Sequence, residues 1–423
     1  MTLLKTSFLN GIAVVVKMIT LLIINKVLAT FVGPAGYATI GQFHNAVQMV
    51  TAIASGAIQN SVTKYTAEYV DDFEAQKQLW KTAGMLSVVC ALVCAVILIL
   101  LKDVLAVALL KDESLSSVFV WFAITLVFFV FNALLLAIIN GRKEIPSYVA
   151  ANICGSIISL VITIALSISL GLYGALLSLA IYQSVSFFAT LFIILRLDWF
   201  KISFLIGRLD PKITKNISMF SLMAITTAIC SPITQMLVRE HIGTTIGWVE
   251  AGYWEALMRL SAAYLMFVTT TLAVYFLPKF SELDNYADIK KELLNGYKLI
   301  LPTVAIMGVG IYLFRDFIVH LLFTEEFSPI TELLAIQLIG DTLKIGSWVV
   351  AYLMIGKAMF RLFIGTEMFF SASFYGFIAY FTNQFGIEGA VLGYTVNYFF
   401  YWLVILVLVM LNLKNNLFLS AKA

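Results

Sequence analysis

The sequence predicts an all-α polytopic membrane protein. Its twelve transmembrane helices would form two six-helix lobes, related by a pseudo-two-fold axis along the membrane normal, around a central cavity. Of the 423 residues, 61% are hydrophobic and only 12% are charged, whereas a water-soluble protein has roughly 45–50% apolar and about 25% charged residues. Twelve apolar segments follow one another, and the second six repeat motifs of the first six. This composition excludes soluble multidomain, disordered, fibrous and disulfide-stapled architectures.

Each apolar segment is close to the roughly 20 residues that a helix needs to cross the bilayer. The runs are continuous, which excludes the alternating strands of a membrane β-barrel. The second and eighth segments are the least apolar, because they contain His44, Glu255 and Arg259. We expect these two to face the bundle interior or a water-filled cavity. The segments lie near residues 7–31, 36–62, 82–101, 117–139, 147–170, 173–195, 215–238, 248–276, 297–314, 330–355, 360–382 and 387–411.

Short motifs recur at an offset of about 215 residues. Ala35-Gly36-Tyr37 recurs as Ala251-Gly252-Tyr253, and Gly171-Leu172-Tyr173-Gly174-Ala175 recurs as Gly386-Ile387-Glu388-Gly389-Ala390. Three further pairs follow in the same order. The ordered set indicates two homologous six-helix halves. An even helix number gives both halves the same orientation, which is the arrangement of parallel-repeat transporters.

Charge placement predicts the orientation and the domains. Most of the 27 lysines and arginines fall in loops on the side that holds the N-terminus, and cytoplasmic loops are enriched in positive charge. Both termini are therefore predicted to lie in the cytoplasm. The predicted domains are an N-terminal lobe, 1–195, a cytoplasmic linker, 196–214, and a C-terminal lobe, 215–423.

The linker contains aromatic residues among basic ones. Trp199, Phe200 and Phe204 in this setting predict a short interfacial helix on the inner leaflet. Residues 103–110 and 316–323 predict similar short helices on the outer side.

Basic residues inside the apolar segments are the candidate substrate ligands. Lys17 and Lys344 fall near the middle of their segments, whereas Lys26 could extend toward the outer surface. The repeat offset aligns His44 with Arg259. Together these residues predict a cavity of positive potential for an anionic ligand. Phosphate or pyrophosphate is the natural ligand because ammonium and guanidinium groups match its oxygens.

Structural roles for the same residues stay open. Glu255 and Arg259 are four positions apart, and Asp341 and Lys344 are three apart, so each pair can form on one helix face and hold helices in register. Glu255 and Asp341 are alternatively candidates for coupling to a proton or a sodium ion. Pro232 predicts a kink in the seventh segment, which serves either as a hinge or as a static bend.

The sequence contains no motif for enzyme chemistry. A G-x-x-x-x-G-K-[ST] phosphate loop, a G-x-S-x-G elbow, a metal-ligand cluster and a redox-cofactor motif are all missing from it. We expect no cofactor, and coupling to a proton or sodium gradient stays open. The four cysteines lie in apolar runs and are predicted to be inert hydrophobes. No basic tract is long enough to bind nucleic acid.

Several ordered stretches carry a family resemblance. They are Gly33-Pro34-Ala35-Gly36, Gly41-Gln42-Phe43, Val62-Thr63-Lys64-Tyr65, Leu277-Pro278 and Gln337-Leu338-Ile339-Gly340-Asp341-Thr342-Leu343-Lys344. With them, essentially the whole chain resembles the Wzx-type flippases of the multidrug/oligosaccharidyl-lipid/polysaccharide (MOP) exporter superfamily. It looks closest to the flippases for O-antigen units and for enterobacterial common antigen.

The resemblance implies transfer of an undecaprenyl-pyrophosphate-linked oligosaccharide between leaflets of the bacterial inner membrane by alternating access. It assigns head-group binding to the segments of Lys17, Lys26, Asp341 and Lys344. Two alternatives stay open. An ion-coupled drug or small-molecule antiporter of the same fold would have an acidic cavity. A scaffold that recruits a polysaccharide polymerase complex would move no lipid.

Overall fold

The structure, a computed structural model, describes residues 3–420 apart from residues 57 and 208. Every regular element in that part of the chain is helical, which confirms the all-α prediction. The linker prediction included Arg208, which lies outside the described residues. The helices are α1 (Leu3–Ala54), α2 (Gln59–Glu68), α3 (Phe73–Leu100), α4 (Lys102–Leu105), α5 (Ser117–Gly141), α6 (Ile145–Leu195), α7 (Pro211–Thr245), α8 (Trp248–Thr271), α9 (Leu277–Glu282), α10 (Tyr286–Leu313), α11 (Arg315–Leu322), α12 (Ile330–Gly356) and α13 (Phe360–Ser420), with π-helical turns at Ala106–Leu110 and Leu272–Phe276 and 3-10 turns at Glu113–Ser116, Ile202–Phe204 and Glu325–Phe327.

Eight helical stretches in the described residues are long and apolar enough to cross a membrane. Three of them, in α1, α6 and α13, have 44, 51 and 55 residues, about twice what one crossing needs. Each of the three bends at one glycine with a positive φ: Gly33 at 68°, Gly171 at 57° and Gly386 at 62°. Glycine adopts this backbone without a Cβ clash. Counting each bent helix twice and adding α7 gives the twelve predicted crossings.

The backbone repeats its special features at the offset found in the sequence. Gly171 has φ 57° and ψ −132°, and Gly386, 215 positions later, has φ 62° and ψ −140°. Lys143 and Ala358, also 215 apart, have φ values of 60° and 50°. Non-glycine residues seldom adopt a positive φ. Its recurrence at equivalent positions indicates that the two halves are homologous and do not merely have a similar composition.

Two further repeat-related glycines lie just after the bends. A Cβ at Gly174 would collide with the carbonyl of Leu166, and a Cβ at Gly389 would collide with the carbonyl of Phe381. A hydrogen at these positions therefore lets the helix on one side of the bend approach the other side closely.

We expect Gly389→Ala to destabilise the protein by about 1–3 kcal/mol, because the added methyl group meets backbone that cannot move cheaply. Gly365→Ala is the matched control on the same helix. A Cβ at Gly365 has no neighbour within 4 Å, and alanine is the better helix former by about 0.5–1 kcal/mol. Thermal unfolding of the purified variants in detergent measures both effects. Equal unfolding temperatures for the two variants would contradict the packing described here.

The chain divides into two compact units, Met1–Pro232 and Ile233–Ala423. The predicted lobe limits, at residues 195 and 215, stay a prediction. In the first unit, a core cluster forms among α2, α3, α5 and α6 around Trp80 and Leu135, which are fully buried. In the second unit, α12 packs on α13 and also contacts α8 and α10.

Between α6 and the start of α7 at Pro211, the described residues of the linker contain one short helical turn, Ile202–Phe204. A place for the linker on the inner leaflet stays a prediction. The ring of Trp199 lies 5.5 Å from that of Trp80, and the carbonyl of Leu205 packs where a Cβ of Gly84 would stand. The aromatic residues of the linker therefore pack on α3. The face of α3 that contains Gly84 has no side chain at that position, which leaves room for the linker backbone. The predicted outer helices are present as α4 with its π turn and as α11.

Candidate substrate site

Two arginines hold the carboxylate of Glu255 in the second unit. Arg239 on α7 donates from Nη1 to Glu255 Oε2 over 3.1 Å. Arg259, one helical turn after Glu255 on α8, donates from Nε to Oε1 over 2.7 Å. The side chain of Arg239 is only 1% exposed. This arginine–glutamate cluster (Arg239, Glu255, Arg259) therefore has charged donors on both carboxylate oxygens and a net positive charge.

The position of Arg239 corrects one prediction. The seventh segment was predicted to end at residue 238, one position before Arg239. Helix α7 continues to Thr245, so Arg239 lies inside the helix and is buried. The pairing of Glu255 with Arg259, which their spacing allows, is present. A role for Glu255 in ion coupling stays a prediction, and it would require opening a buried ion pair.

Asp341 on α12 is fully buried and is surrounded by neutral donors. Ser261 and Tyr264 on α8 donate their hydroxyls to Oδ2 over 2.6 and 2.8 Å. Tyr394 on α13 donates to Oδ1 over 2.6 Å, and the Gln337 amide donates to the same oxygen over 3.3 Å. These bonds tie three helices together at one carboxylate. A carboxylate that accepts several hydrogen bonds is stabilised in a dry interior.

The ammonium of Lys344 is surrounded by aromatic rings. It lies 5.0 Å from the ring centre of Trp348, one helical turn further along α12. The rings of Tyr398 and Tyr394 on α13 lie at 5.6 and 5.8 Å. We call Trp348, Tyr394 and Tyr398 the aromatic cage. Such cation–π contacts stabilise a cation by about 0.5–2 kcal/mol but occupy none of its hydrogen-bond donors. Lys344 as a residue is partly exposed.

The other predicted ligands lie in the first unit, on α1. Lys17 is exposed and Lys26 is partly buried. They are nine positions apart, which is about 13 Å along a helix. His44 lies beyond the bend at Gly33, and its Nε2 is 2.9 Å from the amide nitrogen of Gln48. The binding role of all three stays a prediction.

Asp341 and Lys344 do not follow the internal repeat. At the offset of 215, Asp341 aligns with Leu126 and Lys344 aligns with Phe129. The two halves thus share bends and helix packing, while the Asp341 network and the aromatic cage belong to the second half alone. This difference indicates that these residues serve a specific chemical purpose, since the repeated fold forms without them in the first half.

Sequence reasoning missed two groups that the structure brings close to Lys344. Tyr394 and Tyr398 are four positions apart in the twelfth segment, a spacing that puts both rings on one helix face. It also missed Glu367, an acid in the eleventh segment. A systematic inventory of charges inside each apolar segment would have found Glu367. The tyrosines carry no such signal, because aromatic residues are common throughout the chain.

Known sequences match this chain along most of its length. The sequence pattern of the family described as "Polysaccharide biosynthesis protein" matches residues 3–284. The lipid III flippases of Escherichia coli (strain K12) and Shigella flexneri are each 29% identical to the chain over 403 residues, covering 95% of it and 97% of the relative.

Solved structures match the fold. An inward-facing MATE family transporter of the MOP superfamily has a TM-score of 0.80 at 15% identity, over 94% of this chain and 96% of its own. A MOP superfamily transporter from Pyrococcus furiosus, reported with a binding pocket of reversed polarity, has a TM-score of 0.70 at 16% identity, over 95% of each chain. The predicted MOP resemblance is thereby confirmed, and the chain belongs to the polysaccharide biosynthesis protein family.

Proposed function

We propose that this chain moves an oligosaccharide linked to undecaprenyl pyrophosphate from the cytoplasmic to the outer leaflet of the bacterial inner membrane, by alternating access. The O-antigen repeat unit and the enterobacterial common antigen unit are the candidate glycans. Similarity to two lipid III flippases over 95% of the chain supports the proposal. The observation that carries it is the basic group at Lys344, held inside a membrane helix with its hydrogen-bond donors available.

The physical need for such a site is large. Carrying phosphate charges and several sugars through hydrocarbon unaided would cost tens of kcal/mol. The ammonium of Lys344 would receive the pyrophosphate oxygens, and the partly exposed rings of Trp348 and Tyr398 offer flat surfaces for sugar rings. The lipid tail needs no such site, because it can stay in the bilayer while the head group passes.

The two acids beside the candidate site, Glu255 and Asp341, already have hydrogen-bond partners, which supports an anionic ligand. Both Glu255 oxygens accept from arginine, and Asp341 accepts from four neutral donors, so neither carboxylate offers an open site for a cationic drug. A cation antiporter of the same fold would need an acidic cavity, so the flippase is the better supported function.

Complementation tests the proposed substrate. We expect this chain, produced in an Escherichia coli strain depleted of its own lipid III flippase, to relieve the accumulation of lipid-linked oligosaccharide on the cytoplasmic leaflet. The variant Lys344→Ala, present in the membrane at the same level, should not relieve it. If the wild-type chain inserts normally and the lipid-linked pool stays high, this glycan is not its substrate.

A further inference from the structure

A groove lies between the two halves of α13, the long bent helix of the second unit. The first half runs from Phe360 to the bend at Gly386, and the second half follows it. The rings of Phe370 and Tyr401 lie 4.7 Å apart, so the two halves are in contact at that level. Between this contact and the start of the helix there is a groove of about 270 Å³. Its lining includes Arg361, Leu362, Gly365, Phe369, Val404 and Leu408.

Most of the groove is apolar and open. Gly365 has no side chain, and a Cβ at this position would have no neighbour within 4 Å. The side chains of Phe369, Val404 and Leu408 are exposed. The hydroxyl of Thr366 donates to the carbonyl of Leu362 over 2.8 Å, within its own helix. Exposed apolar side chains on a membrane-crossing helix contact the hydrocarbon of the bilayer, so the groove faces lipid chains.

Arg361 places a positive charge at one end of the groove. It is the second residue of α13 and lies 25 positions, or about 37 Å along a helix, before the bend at Gly386. Because the hydrocarbon core is about 30 Å thick, a crossing of this length puts Arg361 at the level of the lipid head groups. Arg361 is exposed and forms no ion pair with another described residue. Lys357, one helical turn earlier, already pairs with Asp284.

The charge at this place is not part of the repeated fold. At the offset of 215, Leu408 aligns with Ile193, whereas Arg361 aligns with Pro146. The apolar lining thus has a counterpart in the first half, and the arginine has none. Packing of the two halves of a bent helix therefore does not require a basic residue here.

We propose that this groove binds one anionic phospholipid of the surrounding membrane, with the phosphate on the guanidinium of Arg361 and an acyl chain along the groove. A guanidinium offers several N–H donors that match phosphate oxygens, and basic pockets between transmembrane helices bind anionic lipid head groups. From Arg361 to Phe369 the groove extends about 12 Å along the helix, which is the direction that an acyl chain takes into the bilayer. A free phosphate would leave this apolar length unfilled, so the groove favours a lipid.

The lipid site is distinct from the candidate substrate site. All residues that line the groove belong to α13, whereas Lys344 lies on α12. The proposal concerns a lipid that stays bound, so it does not depend on the proposed flippase function.

Native mass spectrometry of the purified full chain tests the site. The protein is reconstituted with equal amounts of phosphatidylglycerol and phosphatidylcholine that have the same acyl chains, and the lipids that it retains are identified. We expect wild-type protein to retain one phosphatidylglycerol about fivefold in preference to phosphatidylcholine, which is the preference that one basic residue near an anionic lipid supplies. A preference near one would overturn the proposal.

Two variants test the head-group contact and the chain contact separately. Arg361→Gln removes the charge and should bring the preference for phosphatidylglycerol close to one. Gly365→Leu fills the groove and should reduce retention of either lipid about fivefold. Lys290→Gln, which removes an exposed basic residue from α10, and Gly310→Leu, at a position where a Cβ has no neighbour within 4 Å, are the matched controls and should behave like wild type.

Equal retention of phosphatidylglycerol by the wild type and both groove variants would overturn the site, and so would an equal loss in the control variants. Undecaprenyl phosphate added in excess distinguishes the membrane phospholipid from a carrier lipid. We expect it to leave the bound phosphatidylglycerol in place. Displacement would assign the groove to a polyprenyl chain and overturn the phospholipid assignment. None of these measurements involves lipid transfer, so the lipid site and the flippase function fail separately.

Discussion

Lys344→Ala is expected to reduce transfer of lipid-linked oligosaccharide by at least tenfold, while the protein inserts and folds normally. The substitution removes the ammonium that would bind the pyrophosphate, and a charged hydrogen bond of this kind contributes about 1.5–3 kcal/mol. The fold should tolerate the change because the ammonium contacts only the rings of Trp348, Tyr394 and Tyr398. The buried carboxylate of Asp341 keeps its four hydrogen bonds without Lys344. Transfer measured at equal protein levels gives the effect. We expect the same loss for Lys17→Ala.

Two controls distinguish the loss of a cation at this site from the loss of a basic residue elsewhere in the protein. Lys344→Arg keeps a cation at the aromatic cage and should retain much of the transfer. Lys357→Ala removes a basic residue from the end of the same helix, where it pairs over 3.3 Å with the highly exposed Asp284; such surface pairs contribute little. Full transfer by a Lys17→Ala, Lys344→Ala double variant would eliminate the cationic site.

Glu255→Gln should be among the most destabilising substitutions in the second unit. It removes the shared partner of Arg239 and Arg259, and Arg239 is almost wholly buried. Breaking a buried ion pair by removing one partner costs about 3–5 kcal/mol, since an uncompensated charge is left behind. Thermal unfolding in detergent should show the loss.

A second substitution identifies the cause. Arg239→Met combined with Glu255→Gln removes one of the two stranded cations and fills the space with an apolar chain, so it should recover about half of the lost stability or more. Arg259 is partly exposed and can be solvated in the double variant. Unfolding of Glu255→Gln at the wild-type temperature would show that the arginine–glutamate cluster is structurally unimportant.

Much of the fold follows from patterns that act locally. Apolar runs of membrane-crossing length, broken at Gly33, Gly171 and Gly386, were enough to predict the crossings, because hydrocarbon requires helices and only glycine adopts the bend cheaply. The repeat could also be predicted, because one of its motifs contains Gly171 and Gly386, the glycines at which the backbone bends. The four-residue spacing of Glu255 and Arg259 likewise indicated that they could form an ion pair.

The remainder depends on contacts between distant parts of the chain. A tryptophan among basic residues, such as Trp199, is typical both of a membrane surface and of a contact with the protein. The positions of Trp80 and Gly84 on α3, which favour the protein contact, are known only from the structure. The seventh segment was predicted to end before Arg239, because a charge at the end of an apolar run is typical of a segment boundary. Its true position depends on Glu255, sixteen residues later. The donors around Asp341 come from three helices, and no local pattern assembles them.

Leaflet transfer in proteoliposomes tests the proposed function most directly. Purified protein is reconstituted with labelled undecaprenyl-pyrophosphate oligosaccharide, and protein-free vesicles give the background. We predict transfer above that background for the wild-type protein, faster with an imposed proton gradient, and transfer at background for Lys344→Ala. Background transfer by correctly folded wild-type protein, with proton and sodium gradients of either direction, would contradict the flippase function and favour a scaffold.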